Sequence, residues 1–300
     1  MYNRALEHFQ YLTFEGRYPM IYVGTLRHTF IKSCATTLVP QITLSPRGPA
    51  IITPNGQTIL NREWVVVNQE TGGFVAQRHG FPQMARIQTY TSGNDLVVTA
   101  PCKFEFTVPL KHMERERLQT TIWDDRLLAI DQGREPALRL SEFLDTDVRL
   151  VRMPADTVRL ARSALKKGAE YGIGFSDGEQ VLVTSSPSLL WLNQNLLTPG
   201  VYVPADRFRD NIHLMTSTEE PFFEEAITRM VIGGVEFIAT KLCVRCVMTT
   251  HDQTLGHVTG KEPLKTLGAL HRNEKGAVFG AQFSCSLTGT VRIGDLVEVC

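Results

Sequence analysis

The sequence predicts a mixed α+β fold that is rich in β-strands and has few helices. From Met20 to about Val108, runs of strand length are rich in β-branched and aromatic residues. These runs are IYVGTL, TTLVPQITLS, AIITPNGQTIL, EWVVVN, DLVVTA and KFEFTV. Between them, SPRGP, PNGQ, QETGG and TSGND supply the Pro, Gly, Asn and Asp residues that tight turns need. This half of the chain therefore predicts a β-barrel or a strongly coiled antiparallel sheet.

The middle of the chain introduces helical spacing. EPALRLSEFL, from about Glu135 to Leu144, has apolar residues at helical intervals, and DVRLVRM after it alternates as a half-exposed strand does. ADTVRLARSALKKGAE has an Asp near its start and Gly168 near its end. That pattern is typical of a helix, but the segment is basic enough to be a mobile surface excursion instead.

A strand followed by a helix opens the second half, at VLVTSSPSLLWLNQNL. Ser185 or Ser186 suits the helix N-cap and Pro187 suits the first turn. The helical spacing predicts a buried leucine stripe at positions 189, 192 and 196. After a helix or turn at PFFEEA, a hairpin through Gly233-Gly234, a helix at PLKTLGALHR and two strands near TGTVRIGDLVEV follow. Since no linker separates the two halves, we expect them to share a core and a cleft.

Composition excludes several classes of protein. The 300 residues suffice for one large or two ordinary domains, and 31 Lys and Arg balance 31 Asp and Glu. Neither nucleic acid nor an anionic membrane is therefore an expected partner. The first residues lack a signal sequence, and no window reaches the roughly 18 to 20 apolar residues of a membrane helix. We expect a cytoplasmic protein whose thiols are reduced.

The pair Cys243-x-x-Cys246 is open to several interpretations. It could be two reduced thiols on a strand, a zinc clip with His251 and His257, or a redox pair. The flanking sequence is typical of a strand that ends in a turn. This disfavours a tight zinc fold, and it disfavours a thioredoxin-type pair, which belongs at the start of a helix. Both histidines could line the cleft between the two halves, but we expect them to face solvent.

ADRFRDNI places donors of bidentate hydrogen bonds at alternate positions. On an extended chain Arg207, Arg209 and Asn211 would project from one face and suit a phosphate or a polar heterocycle. A solvated, charged edge strand is an equally good interpretation of the octet alone.

Other candidate polar residues lie beside predicted strands. Lys32 and Ser33 lie in FIKSC, and Arg62 lies in NREW. Asp177 follows Ser176 in the glycine-rich stretch YGIGFSDG, where a turn or helix cap is the simplest role for it. The glycine spacing does not match a dinucleotide-binding motif.

Several segments occur in a fixed order along the chain: IKSC, NREWVVV, FSDG, VLVTSSPSLLWLN, RFRDNI, LCVRCVMTT, EPLKTL and RIGDLVEV. Taken together in this order, they resemble the MOSC superfamily. The similarity runs from about Met20 to Val299 and is closest to members with an N-terminal β-barrel domain, such as the amidoxime-reducing components and their bacterial relatives. The resemblance implies a MOSC β-barrel packed against an N-terminal β-barrel-like domain. The implied boundaries are an extension at 1–19, the N-terminal domain at 20–154 and the cofactor-binding domain at 155–300.

The resemblance also implies a molybdenum cofactor (Mo-pyranopterin) in the cleft between the two parts. It assigns Cys246 as the molybdenum ligand, with Cys243 as a supporting neighbour, and makes Asp177 and Cys246 the catalytic residues. The implied cofactor-binding residues are Lys32, Ser33, Arg62, Arg78, Arg207, Arg209, Asn211 and Arg245.

The implied function is that of an oxidoreductase. It would reduce small N-hydroxylated or N-oxygenated substrates, such as amidoximes, hydroxylamines and N-hydroxylated bases, by removing oxygen at molybdenum. Electrons would come from a separate protein, such as a flavoprotein reductase, a ferredoxin or a cytochrome b5-like protein. The alternative is a molybdenum-cofactor carrier or sulfur-transfer protein without N-reductive turnover. A zinc-stapled interaction protein is a third interpretation.

Overall fold

The computed structural model describes residues 20–167, 171–285 and 288–300. The extension predicted at 1–19 lies outside the described residues. Within the first half, the strands are β1 (Ile21–His28), β2 (Thr37–Val39), β3 (Gln41–Ser45), β4 (Gly48–Ile52), β5 (Thr58–Leu60), β6 (Trp64–Asn68), β7 (Gln88–Ser92), β8 (Asp95–Ala100), β9 (Phe104–Pro109), β10 (Arg117–Ile122), β11 (Asp125–Asp131) and β12 (Val148–Arg152). The helices there are the 3₁₀ turns η1 (Gln77–His79) and η2 (Pro82–Arg86) and the helix α1 (Arg134–Leu144).

The second half has shorter strands and most of the helices. Its strands are β13 (Arg159–Leu160), β14 (Gly172–Ile173), β15 (Val181–Ser185), β16 (Ile212–Thr216), β17 (Arg229–Ile232), β18 (Val235–Val244), β19 (Arg272–Asn273), β20 (Gly276–Cys285), β21 (Gly289–Arg292) and β22 (Val297–Val299). Its helices are α2 (Arg162–Lys167), α3 (Ser186–Gln194), η3 (Ala205–Phe208), α4 (Phe223–Ala226), η4 (Val247–Thr250) and α5 (Leu264–Leu270). This architecture confirms the predicted β-rich, mixed α+β fold class with few helices.

One large sheet joins the two halves of the chain. Its strand order is β2-β1-β16-β15-β20-β18-β17-β22, with β19 paired to β20. The first-half strand β1 pairs antiparallel with the second-half strand β16 from Ile21↔Thr216 to Leu26↔Ile212. In return, the second-half strand β21 joins the sheet β21-β3-β4-β5 of the first half. Backbone hydrogen bonds therefore fix the halves against each other.

Two main cores lie under these sheets. One contains residues of both halves, including Val23 and Leu26 of β1 together with Val183, Phe237 and Phe283. The other belongs to the first half and collects Phe30, Trp64, Met84, Leu140 and Leu150, all nearly or fully buried. Strands β6 and β12 of the sheet β10-β11-β12-β6, and β8 and β9 of the sheet β7-β8-β9, contribute side chains to this second core. Burial on this scale is the main favourable term that holds the strands in place.

The strand-to-helix unit of the second half confirms its sequence interpretation. The side chain of Ser185 caps α3 by accepting a hydrogen bond from the backbone N–H of Ser188, and Pro187 lies in the first turn. Leu192 is fully buried, and Leu189 and Leu196 pack against the same small core.

The basic segment after residue 154 differs from the helix that its pattern predicts. Arg159 lies on the short strand β13, which pairs with β14, and helix begins only at Arg162. The Arg159 guanidinium is buried. It donates to the carbonyls of Gly174 and Ser176 at 3.0 and 2.6 Å and pairs with Asp125 at 2.7 Å. These oxygens hold residue 159 in extended backbone, so a helical turn does not form there.

Glu224 is a fully buried carboxyl in the second half. Its Oε2 accepts hydrogen bonds from the hydroxyls of Ser185 and Ser188 at 2.7 and 2.8 Å, and its Oε1 has no partner among the described residues. Burial raises the pKa of Glu224 from 4.5 to about 7, although the two serine hydroxyls oppose the shift. The folded protein is therefore more stable when the Glu224 carboxyl is protonated.

We expect this carboxyl to make stability depend on pH. Because its folded pKa is raised, its contribution is fully present below about pH 4.5 and is lost as the pH rises through about 7. Relative to wild type, Glu224→Gln should gain roughly 1–3 kcal/mol of unfolding free energy between about pH 5 and pH 8. Urea unfolding at both pH values measures this difference, and exposed Glu142→Gln is the control. Equal pH dependence in wild type and Glu224→Gln would contradict the assignment.

Candidate functional site

A cavity of about 1090 Å³ opens between residues of the two halves. The wall from the first half includes the turn after β1 and the loop before β6, and the wall from the second half includes the loop before β16 and the end of β18. All ten predicted site residues line it: Lys32, Ser33, Arg62, Arg78, Asp177, Arg207, Arg209, Asn211, Arg245 and Cys246. The fold thus gathers residues that are more than 200 positions apart in sequence, from Lys32 to Cys246.

Backbone strain is concentrated at this cavity. Among the described residues, eight non-glycine residues have positive φ, and four of them line the cavity: Ser33 (69°), Arg62 (57°), Trp123 (57°) and Arg209 (56°). Each such conformation costs roughly 1–3 kcal/mol and persists only where the surroundings enforce it. The fold therefore spends stability to aim these side chains inward.

Gly174 allows the loop that carries Asp177 to approach the loop that carries Arg62. The backbone N–H of Phe175 donates to the carbonyl of Arg62 at 2.7 Å. A Cβ at position 174 would lie 2.4 Å from the carbonyl oxygen of Asn61 and 2.6 Å from that of Arg62. Only glycine fits this close approach without displacing backbone.

Lys32 and Asp177 form an ion pair inside the cavity. The Lys32 ammonium donates to Asp177 Oδ1 and, at 2.8 Å, to the carbonyl of Phe175, while the indole N–H of Trp123 donates to the same Asp177 oxygen at 3.1 Å. Burial lowers the pKa of Lys32 to about 8 despite the opposing charge of Asp177, and Arg62 adds to the decrease. For Asp177, desolvation would raise the pKa, but the Lys32 and Arg62 charges and these hydrogen bonds outweigh it and hold the pKa well below its usual range. Asp177 is therefore an ionised acceptor at neutral pH, and Lys32 is close to its titration point.

Three arginines add positive charge next to this pair. Arg209 donates to Gln253 at 3.3 Å, and its Nη2 has no partner among the described residues. Burial, and then the nearby charge of Arg62, lower the pKa of Arg209 to about 10. Arg245 donates to Cys243 Sγ and to the carbonyl of Phe208, both at 2.8 Å, but its Nε has no such partner. Buried N–H groups left unpaired beside like charges suit an anionic ligand with several oxygens, such as a phosphate ester.

Arg207 and Asn211 have other contacts. The octet from 205 to 212 is not extended, because Ala205–Phe208 forms η3 and Arg209 is left-handed, so the predicted comb of alternate side chains is wrong. Arg207 pairs with Asp252 at 3.0 Å and donates to Thr259, leaving its Nε without a partner among the described residues. Asn211 Oδ1 accepts from the backbone N–H of Leu182 at 3.1 Å. Most polar atoms of both side chains thus form hydrogen bonds within the protein and stabilise the cavity wall.

Cys246 lines the cavity where β18 ends. Its side chain is half-buried, and its carbonyl accepts the backbone N–H and the hydroxyl of Thr249 at 3.1 and 3.0 Å. Cys243 is buried, and its sulfur accepts the hydrogen bond from Arg245 described above. The thiol of Cys246 is thus presented to the same space as the arginines.

The residues of a zinc clip are not gathered. Among the described residues, no group of three or more His, Cys, Asp and Glu side chains is arranged to hold a metal ion. His257 is exposed, as expected. His251 is 3% exposed, so the expectation that it faces solvent is wrong; its backbone pairs with Val258 across the following turn.

Sequence reasoning missed several residues of the cavity. They include Phe74, Trp123, Lys241 and the hairpin from His271 to Lys275. The signal for Trp123 was present, because WDD joins two strand-like runs and contains no glycine where a tight hairpin would favour one. Arg78 lies at the exposed mouth, with its guanidinium 4.7 Å from the ring centroid of Trp123.

Comparison with known families identifies the fold. The model of the MOSC N-terminal beta barrel domain matches residues 20–147, and that of the MOSC domain matches residues 170–298. The chain belongs to the MOSC-domain proteins that carry this N-terminal domain. Among the described residues of this MOSC protein, no helix is long and apolar enough to cross a membrane.

Three curated relatives are similar over most of this MOSC chain. Mitochondrial amidoxime-reducing component 1 of Xenopus laevis is 29% identical over 285 residues, which cover 89% of this chain and 78% of the relative. The Homo sapiens protein of the same name is 27% identical, with coverage of 92% and 82%. Molybdenum cofactor sulfurase of Danio rerio is 28% identical over 81% of this chain, which corresponds to 30% of that longer protein.

The positive charge that lines the cavity, at Lys32, Arg62, Arg209 and Arg245, predicts binding of a phosphate-containing anion. We expect inorganic pyrophosphate to raise the melting temperature of the metal-free protein, with an effect that weakens as salt increases. Arg209→Gln should weaken the affinity roughly tenfold or more, because a buried charged donor is lost. Exposed Arg139→Gln on α1 is the matched control. Identical pyrophosphate titrations for Arg209→Gln and wild type would argue against an anion site here.

Proposed function

We propose that this chain binds a molybdenum cofactor in the cavity and reduces N-hydroxylated compounds with it. The observation that carries the proposal is the presence of one half-buried thiol, Cys246, in the same cavity as arginine N–H groups that lack partners among the described residues. A pterin cofactor with a phosphate and a thiophilic metal needs both kinds of group. The names of the relatives, two amidoxime-reducing components and a molybdenum cofactor sulfurase, support the same chemistry.

The residues fit the cofactor by charge and by donor type. Arg62, Arg209 and Arg245 would hold its phosphate and polar ring edges, with Ser33 and Arg207 beside them, and Cys246 Sγ would be the protein ligand of molybdenum. When bound, the cofactor supplies reversible electron storage and an acceptor for the oxygen atom of the substrate. Asn211 would act mainly by fixing the wall that carries Arg209, since its carboxamide accepts from Leu182.

Asp177 and Lys32 would handle hydrogen bonds and protons. Reduction of an amidoxime to an amidine takes up two electrons and two protons and releases water, so a proton source must lie near the N–OH group. Ionised Asp177 would accept a hydrogen bond from the substrate nitrogen or hydroxyl. Lys32 Nζ, with a pKa of about 8, would deliver a proton and be recharged from solvent. Lys32 thus has a more direct role than holding the cofactor.

The electrons would come from a separate protein, for which a flavoprotein reductase, a ferredoxin and a cytochrome b5-like protein remain the candidate classes. The cytoplasmic location and the domain boundary at residue 154 also remain predictions. Some relatives carry the word mitochondrial in their names.

A second candidate is a cofactor carrier or sulfur-transfer role. The similarity to molybdenum cofactor sulfurase of Danio rerio supports it, and this chain corresponds to 30% of that longer protein. In that role Cys246 would carry sulfur and the arginines would bind the cofactor, without reduction of N-hydroxylated compounds.

Metal content and turnover together separate these possibilities. From a host that makes molybdenum cofactor, the wild-type protein should contain nearly stoichiometric molybdenum and pterin, and Cys246→Ala should lose most of the molybdenum because the thiolate ligand is gone. Exposed Cys102→Ala is the matched control for loss of a thiol. Benzamidoxime turnover with a chemical reductant supports the reductase, and a loaded protein without turnover supports the carrier. Unchanged molybdenum in Cys246→Ala would rule out the thiolate ligand.

Lys32 predicts a pH dependence of the reaction. In wild type, kcat should fall as the pH rises through about 8, because Lys32 Nζ then lacks the proton it delivers. Lys32→Arg keeps a positive charge at all relevant pH values but does not release its proton, so kcat should be low throughout, roughly 10²-fold below wild type, without the step near pH 8. Exposed Lys111→Arg should retain the wild-type profile. Full activity in Lys32→Arg would show that Lys32 contributes only its positive charge and does not donate the proton.

A further inference from the structure

Trp123 occupies a hairpin turn that its side chain does not favour. The pair Ile122↔Asp125 closes the turn between β10 and β11, so Trp123 and Asp124 form a two-residue loop. Trp123 has φ of 57°, at the first loop position, where hairpins with positive φ favour glycine. A large aromatic residue at such a position implies a role for its side chain other than closing the turn.

The Trp123 ring is at the mouth of the cavity rather than in a core. It is 36% exposed and lies edge-on to Phe74, with ring centroids 5.3 Å apart. Its indole N–H donates to Asp177 at 3.1 Å, which fixes the plane of the ring relative to the proposed substrate acceptor. A tryptophan that only filled space would not need this orientation.

Arg78 adds a flat cation to the same surface. Its guanidinium lies 4.7 Å from the centroid of the Trp123 ring, its side chain is exposed, and it makes no side-chain hydrogen bond or ion pair with another described residue. Guanidinium and indole groups both stack on flat, conjugated rings. Phe74, Arg78 and Trp123, here called the mouth platform, thus offer stacking surface on the side of the cavity that contains Asp177.

We propose that the mouth platform binds the flat aromatic ring of an N-hydroxylated substrate while the N–OH group reaches Asp177. Trp123 is then a specificity-determining residue that favours aromatic over small aliphatic amidoximes. This inference rests on the proposed reductase function and adds to it the class of substrate. The preference comes from stacking, so it requires the ring of Trp123, whereas its indole N–H serves to orient Asp177 and the ring.

The test compares benzamidoxime with acetamidoxime, which has the same reactive group without a ring. In Trp123→Gly the ratio of the two kcat/KM values, aromatic over aliphatic, should fall roughly threefold to tenfold, as expected for loss of one aromatic stacking contact. Trp123→Phe keeps a ring and should keep most of the ratio. The control is Leu128→Ala, an exposed residue of the same hairpin outside the cavity, which should leave the ratio unchanged.

Stability separates this role from a structural one. Trp123→Gly should melt close to the wild-type temperature, because relief of the positive φ of the turn offsets the contacts that are lost with the ring. Trp123→Asn, which also tolerates positive φ, gives a second variant without the ring. An unchanged substrate ratio in both variants would overturn the inference, even where both substrates lose activity by the same factor, since Trp123 would then act through Asp177 alone.

A binding measurement without a reductant tests the mouth platform independently of the proposed reductase function. Calorimetric titration of benzamidoxime and acetamidoxime into protein without a reductant measures the preference when no turnover occurs. A benzamidoxime preference that disappears in Trp123→Gly supports the mouth platform even if the protein never reduces either compound. If both compounds are turned over and the ratio of their kcat/KM values does not change when Trp123 is replaced, the reductase function stands and the mouth platform is overturned.

Discussion

Positive charge that the protein does not neutralise by itself is the constraint on which the site depends. Lys32, Arg62, Arg209 and Arg245 converge on one cavity, and Asp177 is the carboxylate that pairs with Lys32. Burial and mutual repulsion lower the pKa of Lys32 and of Arg209, so the charged state is costly in the protein alone. An anionic ligand removes that cost. The same constraint explains why strained backbone is tolerated at Arg62 and Arg209, since the strain aims two guanidiniums at one point.

The large sheet is what makes this convergence possible. Lys32 and Arg62 belong to the first half, whereas in the second half Arg209 precedes β16 and Cys246 follows β18. The pairing of β1 with β16, and of β21 with β3, fixes these segments on facing walls through backbone hydrogen bonds. Gly174 then lets the Asp177 loop touch the Arg62 loop. A cavity built in this way has walls held by backbone hydrogen bonds where the cofactor would bind and is exposed at the mouth, where Trp123 and Arg78 lie.

Much of the fold followed from local pattern, and much of the site did not. The Ser185 cap and α1 could be predicted because capping and helical spacing are local properties. The extended conformation predicted around Arg207 was wrong, because η3 and the left-handed Arg209 depend on tertiary contacts that residue spacing does not reveal. Trp123 was missed because its role depends on neighbours that are distant in sequence, Phe74 49 positions away with ring centroids 5.3 Å apart and Asp177 54 positions away at 3.1 Å. The candidate site residues came from a resemblance to a family, and the cavity that unites them is visible only in three dimensions.

The most direct test of the account is to locate molybdenum in crystals of the cofactor-loaded protein by anomalous scattering. A cofactor bound as proposed gives a molybdenum peak within bonding distance of Cys246 Sγ, with a phosphate in contact with Arg62, Arg209 or Arg245. A molybdenum peak away from Cys246, or a cofactor phosphate that avoids these arginines, would contradict it.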